Sequence, residues 1–161
     1  MYSLNPSNGK IKQLQAKEDV ISDYSIANQA FEMVYFGLSA SNSQRLYTYN
    51  LKNDASSCLI DLSKEILRDV TLGEVQDWNF VSAQGDTIYG RFYLPPHFDA
   101  TKKYPMIVNY YGGTTPTARV MESRYPSHVY AGLGYIVYII QPSGATGFGQ
   151  EFSARMSTHG V

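Results

Sequence analysis

Cysteine is nearly missing from this chain: Cys58 is the only one in 161 residues. A single thiol builds neither a disulfide framework nor a thiolate metal cluster. Histidine is scarce too. His97, His128 and His159 are scattered, without the HExxH or paired-Cys spacing of a metal site, so no metal or other cofactor is expected. Charge of neither sign prevails. Thirteen Lys and Arg stand against 14 Asp and Glu, a formal charge of -1. That balance gives no electrostatic reason to expect nucleic acid or an anionic membrane as partner. No apolar run approaches the ~18 residues of a membrane span. The N-terminal MYSLNPSNGK has no apolar signal core. Also lacking is any G-x-S-x-G, the nucleophile elbow of many acyl hydrolases.

What is present is the composition of an ordinary globular protein, 43% hydrophobic and 17% charged, with 14 Tyr. Tyr fits half-buried pleated surfaces and so favours strands. The first part holds a weak internal repeat. YSLNPSNGKIKQL at 2–14 matches YTYNLKNDASSCL at 47–59, with Tyr2 on Tyr47, Asn5 on Asn50, Asn8 on Asn53 and Leu14 on Leu59, an offset of 45 residues. That offset is the period of a four-stranded propeller blade. Strands are expected at 20–26, 31–36, 45–51 and, briefly, 58–60. Turn clusters at 40–44 and 51–57 separate them. One blade cannot close a ring of at least four. On this reading the chain lacks its natural front, and Met1 is not a natural start.

After a polar connector (63–73) the pattern changes. Segments 75–82 and 87–94 form an expected hairpin around AQGD, with Trp78 and Phe80 on one face of the first strand. From Pro105 to Gly147 only Arg119, Glu122 and Arg124 are charged. Within that span, 106–111 and 135–140 are near-continuous apolar runs, the signature of parallel strands buried on both faces. A crossover helix fits between them, ending near Gly132 or Gly134. Phe148, Phe152 and Met156 recur every fourth residue, an amphipathic helix with Gly160 as its stop. A hairpin followed by a βαβ unit argues for an α/β fold.

Chemistry is expected at Tyr111-Gly112-Gly113. Ligands of open α/β sheets bind at the carboxyl ends of strands, and two glycines let backbone approach a substrate closely. Acyl transfer needs donors aimed at the oxygen of the tetrahedral intermediate, and a Tyr hydroxyl is a neutral donor at pH 7. Read without further context, Tyr111 could equally be a large residue capping the core. The three histidines are poor catalytic candidates. Ser143, the only Ser in the Gly-rich loop, has no base in sequence placed to activate it.

KYPMIVNYYGGTTP followed by GYIVYIIQPSGATGFGQEF resembles the prolyl oligopeptidase family of serine peptidases, most closely its dipeptidyl-peptidase and acylaminoacyl-peptidase branches. The family's hairpin pattern F-x-S-x-D-G-x-x-I-x-G-x-x-Y-x-P is similar to FVSAQGDTIYGRFYLP at 80–95. Its YP-strand-YGGP is similar to Tyr104-Pro105 through Thr114. Its GY-strand-NPRGSxGYGxxF is similar to Gly134-Tyr135 through Phe152. The resemblance covers about 75–161 well and 1–66 loosely. It implies that the Tyr111 hydroxyl is an oxyanion-hole donor, together with the backbone N–H that follows the nucleophile. It departs at Thr114 (Pro in the family), Ser143 (Arg) and Ala145 (Ser). Losing the Arg removes an expected ion pair from the loop.

The expected fold class is therefore mixed: about one β-propeller blade, then the N-terminal strands of an α/β-hydrolase domain, truncated before the nucleophile elbow. The expected divisions are 1–14, the end of a blade; 15–62, one four-stranded blade; 63–74, a connector; and 75–161, the hydrolase part. The parent is expected to cleave oligopeptides, or dipeptides from N-termini, through an acyl-enzyme. Its Ser, Asp and His lie beyond Val161, so the chain alone is expected to be inactive. Rival readings are an esterase on the same fold and a propeller-linked binding module without catalysis. The expected partner is a peptide substrate, with self-association through an uncovered sheet edge. The chain reads as soluble, in the cytoplasm or exported.

Overall fold

The computed structural model describes residues 1–158, so the expected Gly160 stop, like His159, lies outside the described residues. The chain divides into two compact units, Met1–Val70 and Thr71–Val161.

The first unit opens with a hairpin of β1 (Tyr2–Leu4) and β2 (Ile11–Gln13). A four-stranded antiparallel meander follows: β3 (Val20–Ile26), β4 (Glu32–Leu38), β5 (Arg45–Asn50) and β6 (Ala55–Asp61). The fourth strand is longer than expected, because Ala55–Ser57 pair with Thr48–Asn50 instead of turning. The 45-residue repeat is structural. Asn5 and Asn50 each open a turn whose Asn carbonyl accepts from the N–H four residues on, at 2.8 Å from Gly9 and 2.9 Å from Asp54. Each Asn side chain caps its own turn, accepting from Ser7 N–H and from Lys52 and Asn53 N–H. Gly9 and Asp54 take the same left-handed conformation, φ 69° and 59°. Asn and Asp tolerate that region because their short polar side chains bond locally.

Met33, Tyr35, Tyr47 and Tyr49 form the unit's core, with Tyr35 stacked on Tyr47 at 5.0 Å. The abundance of Tyr over Phe has a local reason. Lys17 N–H donates to the Tyr35 hydroxyl at 2.9 Å, and Gln15 N–H to that of Tyr49 at 3.1 Å. The segment between β2 and β3, which forms no ladder, is held by tyrosine oxygens instead. At the other end Arg45 is ion-paired to Glu18 at 3.0 Å and to Asp61 at 2.9 Å. Glu18 also accepts from Tyr47. Burial, then that hydrogen bond, pushes the Tyr47 hydroxyl well up.

The second unit follows a short helix, α1 (Ser63–Ile66), within the expected connector. Its main sheet has the order β11-β12-β10-β7, from β7 (Val75–Asp77), β10 (Gly90–Tyr93), β11 (Met106–Asn109) and β12 (Ile136–Ile140). The expected hairpin is broken. β8 (Phe80–Val81) and β9 (Thr87–Ile88) close its tip as a separate pair. At the break Gly90 N–H bonds the Asn79 side chain instead of a strand. A Cβ on Gly90 would lie 2.2 Å from the Tyr138 hydroxyl, so the glycine makes room for a ring stacked on Phe92 at 4.2 Å.

β11 and β12 are parallel, as the apolar runs imply. β12 is buried along its centre, but β11 is not. It is an edge strand, with Met106 55% and Val108 44% exposed. The expectation of burial on both faces fails for β11, because Met106 and Val108 share a face that stays open; among the described residues nothing pairs with its outer edge either. The crossover helix α2 (Ser127–Gly132) ends just before Gly134, at φ 94°. The Arg119 carbonyl in the crossover accepts from the Tyr93 hydroxyl at 3.1 Å. α3 (Gln150–Thr158) closes the described chain, and its Phe152 packs with Ile88 and Ala145. No described helix is long and apolar enough to cross a membrane.

Tyr35→Phe keeps the stack on Tyr47 but removes the oxygen that Lys17 N–H and Ser56 share. We expect a loss of about 1 kcal/mol in urea unfolding, with an unchanged β-sheet spectrum. No loss would show that the tyrosine hydroxyls do not hold the segment.

Candidate functional site

Tyr111-Gly112-Gly113 follows β11 after one residue, Tyr110, at the carboxyl end of the parallel pair. The Tyr111 side chain is 55% exposed. Its hydroxyl has no protein partner among the described residues, which leaves the donor free. Its ring lies back over Gly113, where a Cβ would fall 2.6 Å from Tyr111 Cε1. Any larger residue at 113 would push the phenol away, so this glycine serves the tyrosine's position as well as the turn. A Cβ at Gly112 meets nothing within 4 Å. Asn109, Tyr111, Thr115, Thr117, Arg124 and Tyr125 all line a cleft of about 380 Å³ here.

The backbone of the loop is tied down from beneath. Tyr111 N–H donates to Thr117 Oγ1 at 3.2 Å. Thr117 is gripped at both N–H and C=O by the side chain of Gln141, each bond 2.8 Å. The Thr114 carbonyl accepts from both Thr146 N–H, at 2.8 Å, and Thr146 Oγ1, at 3.1 Å. The Gly-rich loop after β12 thus braces the Tyr111 loop.

The sequence missed a polar cluster under that loop. Ser143 Oγ donates to Asp86 Oδ2 at 2.5 Å, and Arg155 from α3 pairs with Asp86 Oδ1 at 2.9 Å. The Asp86 side chain is only 11% exposed. One expectation is corrected here. A carboxylate does reach Ser143, although Arg155 occupies its other oxygen, so the cluster is a clamp. The ion pair beside this loop runs from α3 to Asp86. No local signal could have shown this, because Asp86 and its partners lie far apart in sequence. His128 sits on α2, edge-on to Tyr93 at 5.0 Å, and His97 in a loop at φ 58°. Neither lines the Tyr111 cleft. No group of three potential metal ligands occurs among the described residues.

Comparison with known proteins places this geometry. Porphyromonas gingivalis dipeptidyl-peptidase 5 is 29% identical over 158 residues, 98% of this chain and 23% of that protein. Human dipeptidyl peptidase 8 is 34% identical over 92 residues, 53% of this chain and 10% of that protein. These likenesses are to dipeptidyl peptidases, the branch of the prolyl oligopeptidase family that the sequence motifs resemble. No family model matches the chain. Among solved structures, Pyrococcus horikoshii acylaminoacyl peptidase superposes with a TM-score of 0.76 at 19% identity, over 92% of this chain and 23% of its own. Porphyromonas gingivalis dipeptidyl peptidase 4 does so with 0.75 at 16% identity, over 96% and 22%. The fold is shared with peptidases that join a propeller to an α/β-hydrolase domain. This chain spans less than a quarter of the length of any of these four proteins.

Asp86→Ala strips Ser143 and Arg155 of their acceptor. Unfolding in urea should show a loss of roughly 1–3 kcal/mol, and Ser143→Ala a smaller one. Equal stability of Asp86→Ala and the parent would reduce the cluster to surface contacts.

Proposed function

We propose that this chain is part of a serine peptidase that hydrolyses peptide bonds through an acyl-enzyme. In it Tyr111 donates its hydroxyl proton in a hydrogen bond to the oxyanion of each tetrahedral intermediate. The observation that carries this reading is the free, exposed phenol of Tyr111 on a braced loop at the carboxyl end of a parallel strand. A preformed donor costs no reorganisation when charge develops on the substrate oxygen. Likeness in sequence to dipeptidyl peptidases, and in fold to an acylaminoacyl peptidase, supports the substrate class.

The divisions follow from the same reading. Residues 15–62 form one propeller blade and 1–14 the end of another, an arrangement supported by the matched turns at Asn5 and Asn50. Residues 63–74 connect them to the opening strands of the hydrolase domain at 75–161. No G-x-S-x-G occurs in the chain, so the nucleophile and its Asp and His come from sequence outside it, and the chain alone is inactive. The open edge of β11 is where further strands of the sheet add. In the isolated chain that edge pairs with another copy.

The decisive measurement is made on the whole protein. Tyr111→Phe should lower kcat by roughly 10²–10³ on a peptidyl substrate, with KM changed far less. A fluorophosphonate probe should label the whole protein at one serine and leave the isolated chain unlabelled. An unchanged kcat would return Tyr111 to a residue that caps the core, and labelling of the isolated chain would sink the placement of the nucleophile.

Self-association has its own test. The isolated chain should sediment as dimers or larger species. Val108→Lys, which charges the edge strand, should shift it toward monomer. A monomeric unsubstituted chain would contradict the open-edge reading.

A further inference from the structure

Gln141 ends the central strand of the second unit and is 0% exposed. Its backbone N–H donates to the Tyr89 carbonyl at 2.9 Å, which fixes the residue to the hairpin. Its carboxamide lies where neither water nor substrate reaches, so both of its polar ends need protein partners. One residue supplies both. Thr117 N–H donates to Gln141 Oε1 and Gln141 Nε2 donates to the Thr117 carbonyl, each at 2.8 Å. The side-chain amide therefore imitates one rung of a β-ladder, and the rung holds Thr117 in a single orientation.

The orientation of Thr117 has a consequence for Tyr111. The Thr117 hydroxyl has one proton and donates it to the Ile140 carbonyl at 3.1 Å. Only a lone pair is then left toward Tyr111, and the Tyr111 N–H donates to it at 3.2 Å. The proton order along the path is fixed: Tyr111 N–H to Thr117 Oγ1, and Thr117 O–H to Ile140 C=O. The second anchor, Thr146 on the Thr114 carbonyl, holds the middle of the same loop. With 111, 114 and 117 all tied and the Tyr111 ring lying over Gly113, the phenol is aimed by contacts that never touch it.

We propose that Gln141 and Thr117 are positioning residues: the buried Gln141 carboxamide sets Thr117, whose hydroxyl sets the backbone of Tyr111 and so aims its phenol at the reacting carbonyl. This rests on the reading of Tyr111 as the oxyanion donor. Misplacing a catalytic group by about 1 Å can cost roughly 100-fold in rate, so the relay is a rate device.

The test is a double-mutant cycle in the whole protein, with kcat and KM read on a peptidyl substrate. Thr117→Val removes both hydroxyl bonds at nearly constant volume. It should lower kcat roughly 10- to 100-fold with KM within about threefold, and Thr117→Ser should restore most of the rate. In a Tyr111→Phe background the same Thr117→Val change should cost almost nothing further, because the group it aims is gone. Gln141→Met keeps most of the length but loses both bonds to Thr117. It should reproduce the phenotype, and it serves if Thr117→Val does not fold. An equal loss from either variant in both backgrounds overturns the relay while leaving Tyr111 as donor. So does a wild-type kcat in both variants. A Tyr111→Phe protein with full kcat overturns the oxyanion reading itself, and the relay with it.

Discussion

β12 is hydrogen-bonded along both edges, parallel to β11 and antiparallel to β10. That double pairing buries Val137, Tyr138 and Ile139 almost completely, and it decides where everything else in the second unit can go. Continuing the strand carries Gln141 into the interior, where its amide must be paired. The solution is the loop that leaves the neighbouring strand. A buried polar group left unpaired would cost about 1–3 kcal/mol, and that cost, seen from the loop, is what holds Thr117 in place. The candidate catalytic loop is thus shaped by the need to satisfy one buried side chain on the adjacent strand.

The same strand organises the hairpin. Tyr138 reaches past Gly90 to donate to the Trp78 carbonyl at 3.2 Å, and its ring contacts Trp78 and Phe92. Burial pushes its hydroxyl up, so it remains a neutral donor there. A larger residue at 90 would collide with this ring. The break in the hairpin is therefore imposed by a side chain from β12, and the Asn79 side chain then repairs the backbone bond that the break leaves open.

Features set by local chemistry were legible in the sequence. The Asn-headed turns, the alternating strands of the first unit and the parallel pair all follow from spacing within a few residues. The place of Tyr111 at the carboxyl end of a parallel strand was legible too, from the apolar run that leads into Tyr-Gly-Gly. What stayed hidden depends on contacts across the fold. The broken hairpin needed Tyr138. The exposure of β11 depends on what covers the face of Met106 and Val108, which no pattern within 106–109 records. Gln141 and Thr117 are chemically plain residues 24 positions apart, and nothing in either one's neighbourhood marks them as partners.

The departures from the family pattern carry the same lesson further. Ser143 stands where the family has Arg, and Ala145 where it has Ser. Read alone, both look like losses to the loop. In the fold, α3 contacts both positions. Arg155 pairs with Asp86, and Ser143 donates to the carboxylate's other oxygen. The Ser153 hydroxyl of the same helix lies within hydrogen-bond reach of the Gly149 carbonyl at 3.0 Å and the Ala145 carbonyl at 3.1 Å. Ala145 itself is fully buried against Ile88 and Phe152, a place where an unpaired hydroxyl would be costly. The helix that packs on the loop thus supplies it with both a cation and a hydroxyl. The loop keeps its brace on Thr114 through Thr146, because what that brace requires is a fixed loop, whichever element supplies the ions that fix it.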